Sequence, residues 1–157
     1  AERTETLELE ADLDALNQVL GRQRAAIGSF DRLIAEMRGR PRALAVRLRT
    51  QEEEHTVAIL KMLQLLEGSE EVEAEEIVAP EPQGEAERLE LLYEIQSVTI
   101  EDELAAVARL NSASARSLLA ATAANQAQQL VLLRRALGAK PAEWVPAPFE
   151  DGTTPAP

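Results

Sequence analysis

The chain has 157 residues, a formal net charge of −12, 45% hydrophobic residues, 3% aromatics and no cysteine. That length supports one domain with a real core, and the missing cysteines exclude disulfides, thiolate metal ligands and cysteine nucleophiles. The negative balance argues against nucleic acid, which needs a basic footprint, and no apolar run approaches the roughly 18–20 residues of a membrane span.

Ala and Leu, with 27 and 23 copies, supply almost a third of the chain and favour helix. Prolines 41, 80, 82 and 141 bound two long proline-free stretches, which predicts long helices. The first helix is expected over 5–38. Its acidic opening turns suit the positive end of a helix dipole, and it stops at Gly39-Arg40-Pro41. The second is expected over 42–67, ending at Gly68. A crossover, 68–84, follows; residues 67–87 hold nine Glu and no Lys or Arg, so the acidity mainly describes this segment. Its run Glu70–Glu76 reads as a solvated loop or surface helix, with cation binding as the alternative. The third helix is expected over 85–110. A break at Asn111-Ser112-Ala113-Ser114 leads to a fourth that runs to about Leu137, with Gly138 beyond its end. Short turns make the first and second helices, and the third and fourth, antiparallel neighbours. The fold class is therefore an all-α four-helix bundle over 1–138, two hairpins joined by one long crossover. The tail 139–157 interleaves prolines with Trp144, Val145 and Phe149. It is expected to be non-helical and packed on the bundle.

Each helix carries an apolar stripe in steps of three and four, the spacing of a bundle seam. The stripes are Leu13, Leu16, Leu20, Gln23, Ile27, Phe30, Ile34, Met37; then Leu48, Glu52, His55, Ile59, Met62, Leu66; then Leu89, Leu92, Gln96, Thr99, Glu103, Ala106, Leu110; and finally Leu119, Thr122, Gln126, Gln129, Leu133, Ala136. Leu91, Ile95 and Val98 offer the third helix a second register. Polar residues interrupt the stripes near mid-helix. An unpaired buried polar group costs about 1–3 kcal/mol, so the economical reading is one connected layer of Gln23, Glu52, His55, Gln96, Gln126 and Gln129.

That layer, one, two, one and two polar residues per helix, resembles the ferritin-like di-iron carboxylate superfamily. There, two helices each give a Glu and the other two each give a Glu-x-x-His pair. Glu52-Glu53-Glu54-His55 matches one such pair. The segments Leu16–Phe30, Arg49–Leu63, Leu118–Ala139 and Trp144–Gly152 look like those of bacterial ferritin-like domain proteins, many of which are predicted to be exported. At the other ligand positions the chain has Gln23, Gln96, Gln126 and Gln129. Iron and manganese want anionic oxygen and imidazole donors, and neutral amides are weak ones. Two divalent ions would keep about three uncompensated charges in a dry core.

The resemblance thus implies a degenerate site: no cofactor, no oxidase or ferroxidase activity, and a binding or interaction role. The alternative is a metal-binding or redox protein that holds a single metal ion (iron, manganese or zinc) through Glu52, His55 and unrecognised acids such as Glu103. The glutamines could instead line a small polar ligand pocket. The small-residue stripe Gly21, Ala25, Gly28 admits either a partner helix, in a homodimer, or the crossover. The sole histidine lies on a seam and no Gly-rich phosphate loop exists, so no Ser/His/Asp nucleophile is expected. The chain opens at Ala1 with no signal-type segment, as a mature form would. An exported or cell-envelope location rests on the resemblance alone.

Overall fold

The computed structural model describes residues 1–72 and 77–145. Part of the acidic run, 73–76, and the tail from 146 onward, with Phe149, lie outside the described residues. Four helices account for most of the rest: α1, Glu2–Glu36; α2, Gly39–Leu65; α3, Glu85–Arg109; and α4, Ala113–Ala136.

The helix ends follow from local chemistry. After α1 the Arg38 guanidinium donates to the Ala35 and Met37 carbonyls at 3.1 and 2.7 Å. The chain then reverses through Gly39 at φ +59°, a left-handed conformation that favours glycine. Pro41 thus falls in the first turn of α2, where its missing N–H has no carbonyl to serve. Ser112 caps α4 by accepting from Ala115 N at 3.2 Å. Gly138, at φ +83°, ends the same helix, and the turn returns Gly138 N to Arg135 O and Ala139 N to Arg134 O.

One expectation needs correction at the C-terminal end. The segment after Gly138 is not free of helix: Pro141–Glu143 forms one 3₁₀ turn. Proline sits at its start, where it is tolerated, and the Glu143 carboxylate accepts the Lys140 N–H at 2.7 Å. Trp144 closes this turn onto the bundle. Its indole donates to Ala139 O at 2.9 Å, and Arg135 lies over its ring at 5.8 Å.

The bundle is a ring of antiparallel neighbours. α1 packs on α2 and on α3, and α3 packs on α4, while α2 and α4 approach each other least. The seam register of α3 is the first of the two expected: Leu89, Leu92, Gln96, Thr99, Glu103 and Ala106 are all buried, whereas Val98 is exposed. On α2 the stripe drifts beyond Ile59, and Leu63 takes the core place expected for Met62. A straight helix of 3.6 residues per turn slips against a heptad pattern in this way. The buried apolar side chains form two clusters. One gathers Phe30, Met37, Leu48, Leu92 and Leu133; the other gathers Leu16, Leu20, Ile59, Leu63 and Leu119. On α1 and α2 the polar layer lies between them, while on α3 and α4 the first cluster reaches past Gln96 and Gln126 through Ile100 and Ala123.

The connection 66–84 is tied to α1 by side chains. Asn17 donates to Ser69 O and accepts from Glu71 N, Arg24 pairs with Glu70, and Arg32 donates to Ile77 O at 3.3 Å. Positions 17, 24 and 32 lie on the helical face that carries Gly21, Ala25 and Gly28. The crossover therefore runs along the face of α1 that carries the small-residue stripe. At the opposite end of α3, the buried Asp12 carboxylate holds the α3–α4 turn. It accepts from Asn111 N and Ser112 N, both at 2.7 Å, and from Asn111 Nδ2 at 3.2 Å.

Candidate functional site

Five of the six expected layer residues are fully out of solvent: Gln23, Glu52, Gln96, Gln126 and Gln129 are each 0–1% exposed. Glu52 is the hub. Its Oε1 accepts from Gln96 Nε2 and Gln129 Nε2, both at 2.9 Å, and its Oε2 accepts from Gln126 Nε2 at 2.8 Å. Gln96 also donates to Gln129 Oε1, and Gln129 reaches Asn125 Oδ1 at 3.2 Å. A carboxylate offers about four lone-pair sites, and two helices, α3 and α4, fill three of them with amide protons.

Two residues sit differently from the sequence expectation. His55 lies at the rim rather than in the core. Its side chain is 14% exposed, and Nδ1 stands 3.5 Å from Glu52 Oε1. A step of three from a fully buried position turns a helical side chain about 60° off the seam axis, enough to carry the ring to the edge of the layer. Gln23 does not touch Glu52; it donates to Glu103 Oε1 at 2.7 Å. Glu103 is 0% exposed and belongs to the layer outright. It lies seven residues from Gln96 on the same stripe, a polar residue at a seam position, and that was its signal in the sequence. Thr99 and Thr122, the remaining polar seam residues, satisfy their hydroxyls within their own helices, on Ile95 O and Leu118 O.

The two buried acids are held in opposite states. Burial alone would raise the Glu52 carboxyl, but the His55 ring 3.5 Å away and the Gln96 and Gln126 amides together hold it below the ordinary carboxylate value. Glu103 lacks such a set. Burial pushes it up to about 9, the nearby Glu52 charge adds to the rise, and the Gln23 hydrogen bond opposes it. At neutral pH Glu52 is therefore an anion and Glu103 a neutral carboxylic acid. A neutral acid carries a proton to donate. Glu103 Oε2 and Gln126 Oε1 are both buried without a protein partner, and the Gln126 side chain is in contact with Glu103. The layer thus has two tiers, Gln23–Glu103 and Glu52–Gln96–Gln129, bridged by Gln126, with a net charge of one unit at Glu52.

Gln23 Oε1, Gln96 Oε1 and His55 Nδ1 have no hydrogen-bond partner among the described residues, so the layer satisfies itself only in part, and it is poorly equipped for a pair of ions. Among the described residues no three His, Asp or Glu side chains are grouped so as to hold a metal ion. Even if Glu103 gave up its proton, two negative charges would face the four positive charges of two divalent ions, and the remaining donors would be one imidazole, His55, and amides. The residues present do not fit a di-iron centre.

No family model matches the chain, and no curated protein matches it. Solved structures do. One, a conserved hypothetical protein from Mycobacterium tuberculosis, superposes with a TM-score of 0.75 at 19% identity, over 85% of this chain and 95% of that one. Another, described as a ferritin-like, diiron-carboxylate protein from Bacillus anthracis str. Ames, superposes with a TM-score of 0.69 at 18% identity, over 83% of this chain and 97% of that one. The fold is that of a ferritin-like four-helix bundle.

Proposed function

We propose that this is a ferritin-like bundle that has lost a complete di-iron site and serves as a non-catalytic binding or interaction protein. The observation that carries the reading is the saturation of Glu52. Three amide protons from Gln96, Gln126 and Gln129 occupy the carboxylate that would have to turn toward an ion. Glutamine has nearly the shape of glutamate and brings two N–H donors, so the amides serve the Glu52 charge with no cation. Its role is then architectural. A helix that slipped by one turn would leave a buried charge without its donors, which fixes the register of all four helices. An exported or cell-envelope location and a homodimer belong to the same proposal.

A second reading is favoured by one observation, the burial of Glu103 beside Gln23. With its proton displaced, Glu103 and Glu52 would balance a single divalent ion, with His55 as nitrogen donor. The distribution of these groups over two tiers speaks against it.

Metal analysis of the purified protein separates the readings. Dialysis against iron, manganese and zinc in turn should leave well under one equivalent bound, with an unchanged melting temperature. The combined variant Gln23→Glu, Gln96→Glu, Gln126→Glu, Gln129→His should gain metal under the same conditions. Stoichiometric metal in the parent protein, abolished by His55→Ala, would overturn the proposal in favour of the single-ion reading.

A further inference from the structure

The fold sorts the charges of this chain along its axis. Ten of the 16 basic residues fall in 32–49, at 88 and in 134–140, segments that the antiparallel packing brings to one end of the bundle. The stretch 32–49 alone has six Arg and one acid, Glu36. The opposite end holds the acidic start of α1, Asp12 and Asp14, and the start of the crossover with Glu67, Glu70 and Glu71. A chain that is strongly acidic overall therefore has one basic end.

The cations there are available. Arg38, Arg40, Arg42, Arg47, Arg135 and Lys140 are all exposed, and none makes an ion pair among the described residues. Of the acids nearby, Glu36 and Glu85 both pair with Arg88, whereas Glu81, Glu87 and Glu143 keep their charge, so the six cations outnumber them two to one. α2 alone, with 27 residues, sets the acidic end about 40 Å away at 1.5 Å per residue. The Debye length in physiological salt is about 8 Å. An approaching surface at the basic end consequently meets the six cations and is screened from the acids behind them.

We propose that this end docks on an anionic lipid surface, with the bundle axis standing off the membrane. The cations are spread over the α1–α2 turn, the last turn of α4 and the 3₁₀ turn, a convex tip suited to a flat field of charged headgroups rather than to one small anion. Trp144 and the exposed Val145 sit at the edge of the same tip, the pairing of an amphipathic ring with basic residues that suits the headgroup region. No helix among the described residues is long and apolar enough to cross a membrane, so the contact is peripheral. A nucleic acid fits less well. Strand binding draws on aromatic faces for base stacking, and the single indole at this end is already covered by Arg135.

The test is co-sedimentation of the full chain with phosphatidylcholine vesicles, with or without about a third of phosphatidylglycerol, at low and high salt. Binding should require the anionic lipid, weaken with salt, and shift the Trp144 emission to the blue. The double variant Arg40→Gln, Arg42→Gln should bind at least tenfold less tightly, at roughly fivefold per lost cation, with an unchanged melting temperature. Neutralising Glu5 and Glu8 at the far end should leave binding as it was. Equal binding to neutral vesicles, no binding to anionic ones, or an Arg40/Arg42-dependent affinity for RNA or inorganic phosphate in its place would overturn the proposal.

Discussion

The protonated state of Glu103 makes a prediction that can be read from stability alone. In the unfolded chain this carboxyl ionises at about its ordinary 4.5; in the native bundle it holds its proton up to about 9. Between those values the native state binds a proton that the unfolded state has released, so native stability falls as pH rises, by about 1.4 kcal/mol per pH unit. The sign follows directly: the Glu103 contribution is full below pH 4.5, declines through neutrality and is spent above pH 9. At pH 7 the accumulated penalty is roughly 3 kcal/mol relative to an uncharged group in the same place. Glu103→Gln supplies such a group, with an oxygen to accept from Gln23. The variant should equal the parent near pH 4.5 and exceed it by roughly 3 kcal/mol at pH 7. The gap should widen further to pH 9. Urea unfolding from pH 5 to 9, analysed for both proteins with a shared slope, measures it. Parallel pH profiles for parent and variant, or a variant less stable at pH 8, would refute the assignment of a neutral buried acid.

Other outcomes follow from the same geometry. Glu52→Leu should destabilise by about 3–5 kcal/mol at pH 7, because three buried amides lose their common acceptor; denaturant unfolding measures this, and a cost under 1 kcal/mol would mean that the hub is not one. Lowering the pH through and below 4.5 should weaken the parent as Glu52, held below that value, takes up its proton; Glu52→Gln should lack this acid-side loss. Asp12→Ala should cost about 2 kcal/mol and speed amide exchange at Asn111 and Ser112, whose N–H groups it receives, while exchange at mid-α2 stays slow. Gly138→Ala should cost about 1 kcal/mol in a thermal melt, since φ is +83° there.

Much of the fold was legible because long helices with seams in steps of three and four leave few choices of packing. The prolines and glycines marked the ends to within a few residues. The layer was legible for a related reason: Gln23, Glu52, Gln96, Gln126 and Gln129 each occupy a position that apolar neighbours one turn away declare to be inside. Reading one polar residue on the first and third helices was what kept Glu103 apart, since Gln96 and Glu103 are both seam positions of α3. The rim placement of His55 follows from its three-residue step after Glu52, which a seam drawn in steps of three and four counts as one more inner position. Asp12 holds Asn111 and Ser112 across about a hundred residues, and within its own helix it is simply one of several acids near an N-terminus. The run of arginines in 32–49 is visible along the chain, but only the topology joins it to Arg134, Arg135 and Lys140.

The division of the apolar interior deserves one last step. Because a hydrated-looking sheet of amides and acids separates the Phe30 cluster from the Leu16 cluster, the bundle is two small oil drops sharing four rods. A void cut in one drop has no apolar neighbour across the divide to flow into it, so truncations such as Phe30→Ala and Leu119→Ala should add almost independently. The two halves can then drift apart in sequence over evolutionary time, each repacking on its own terms, as long as the partition between them is kept.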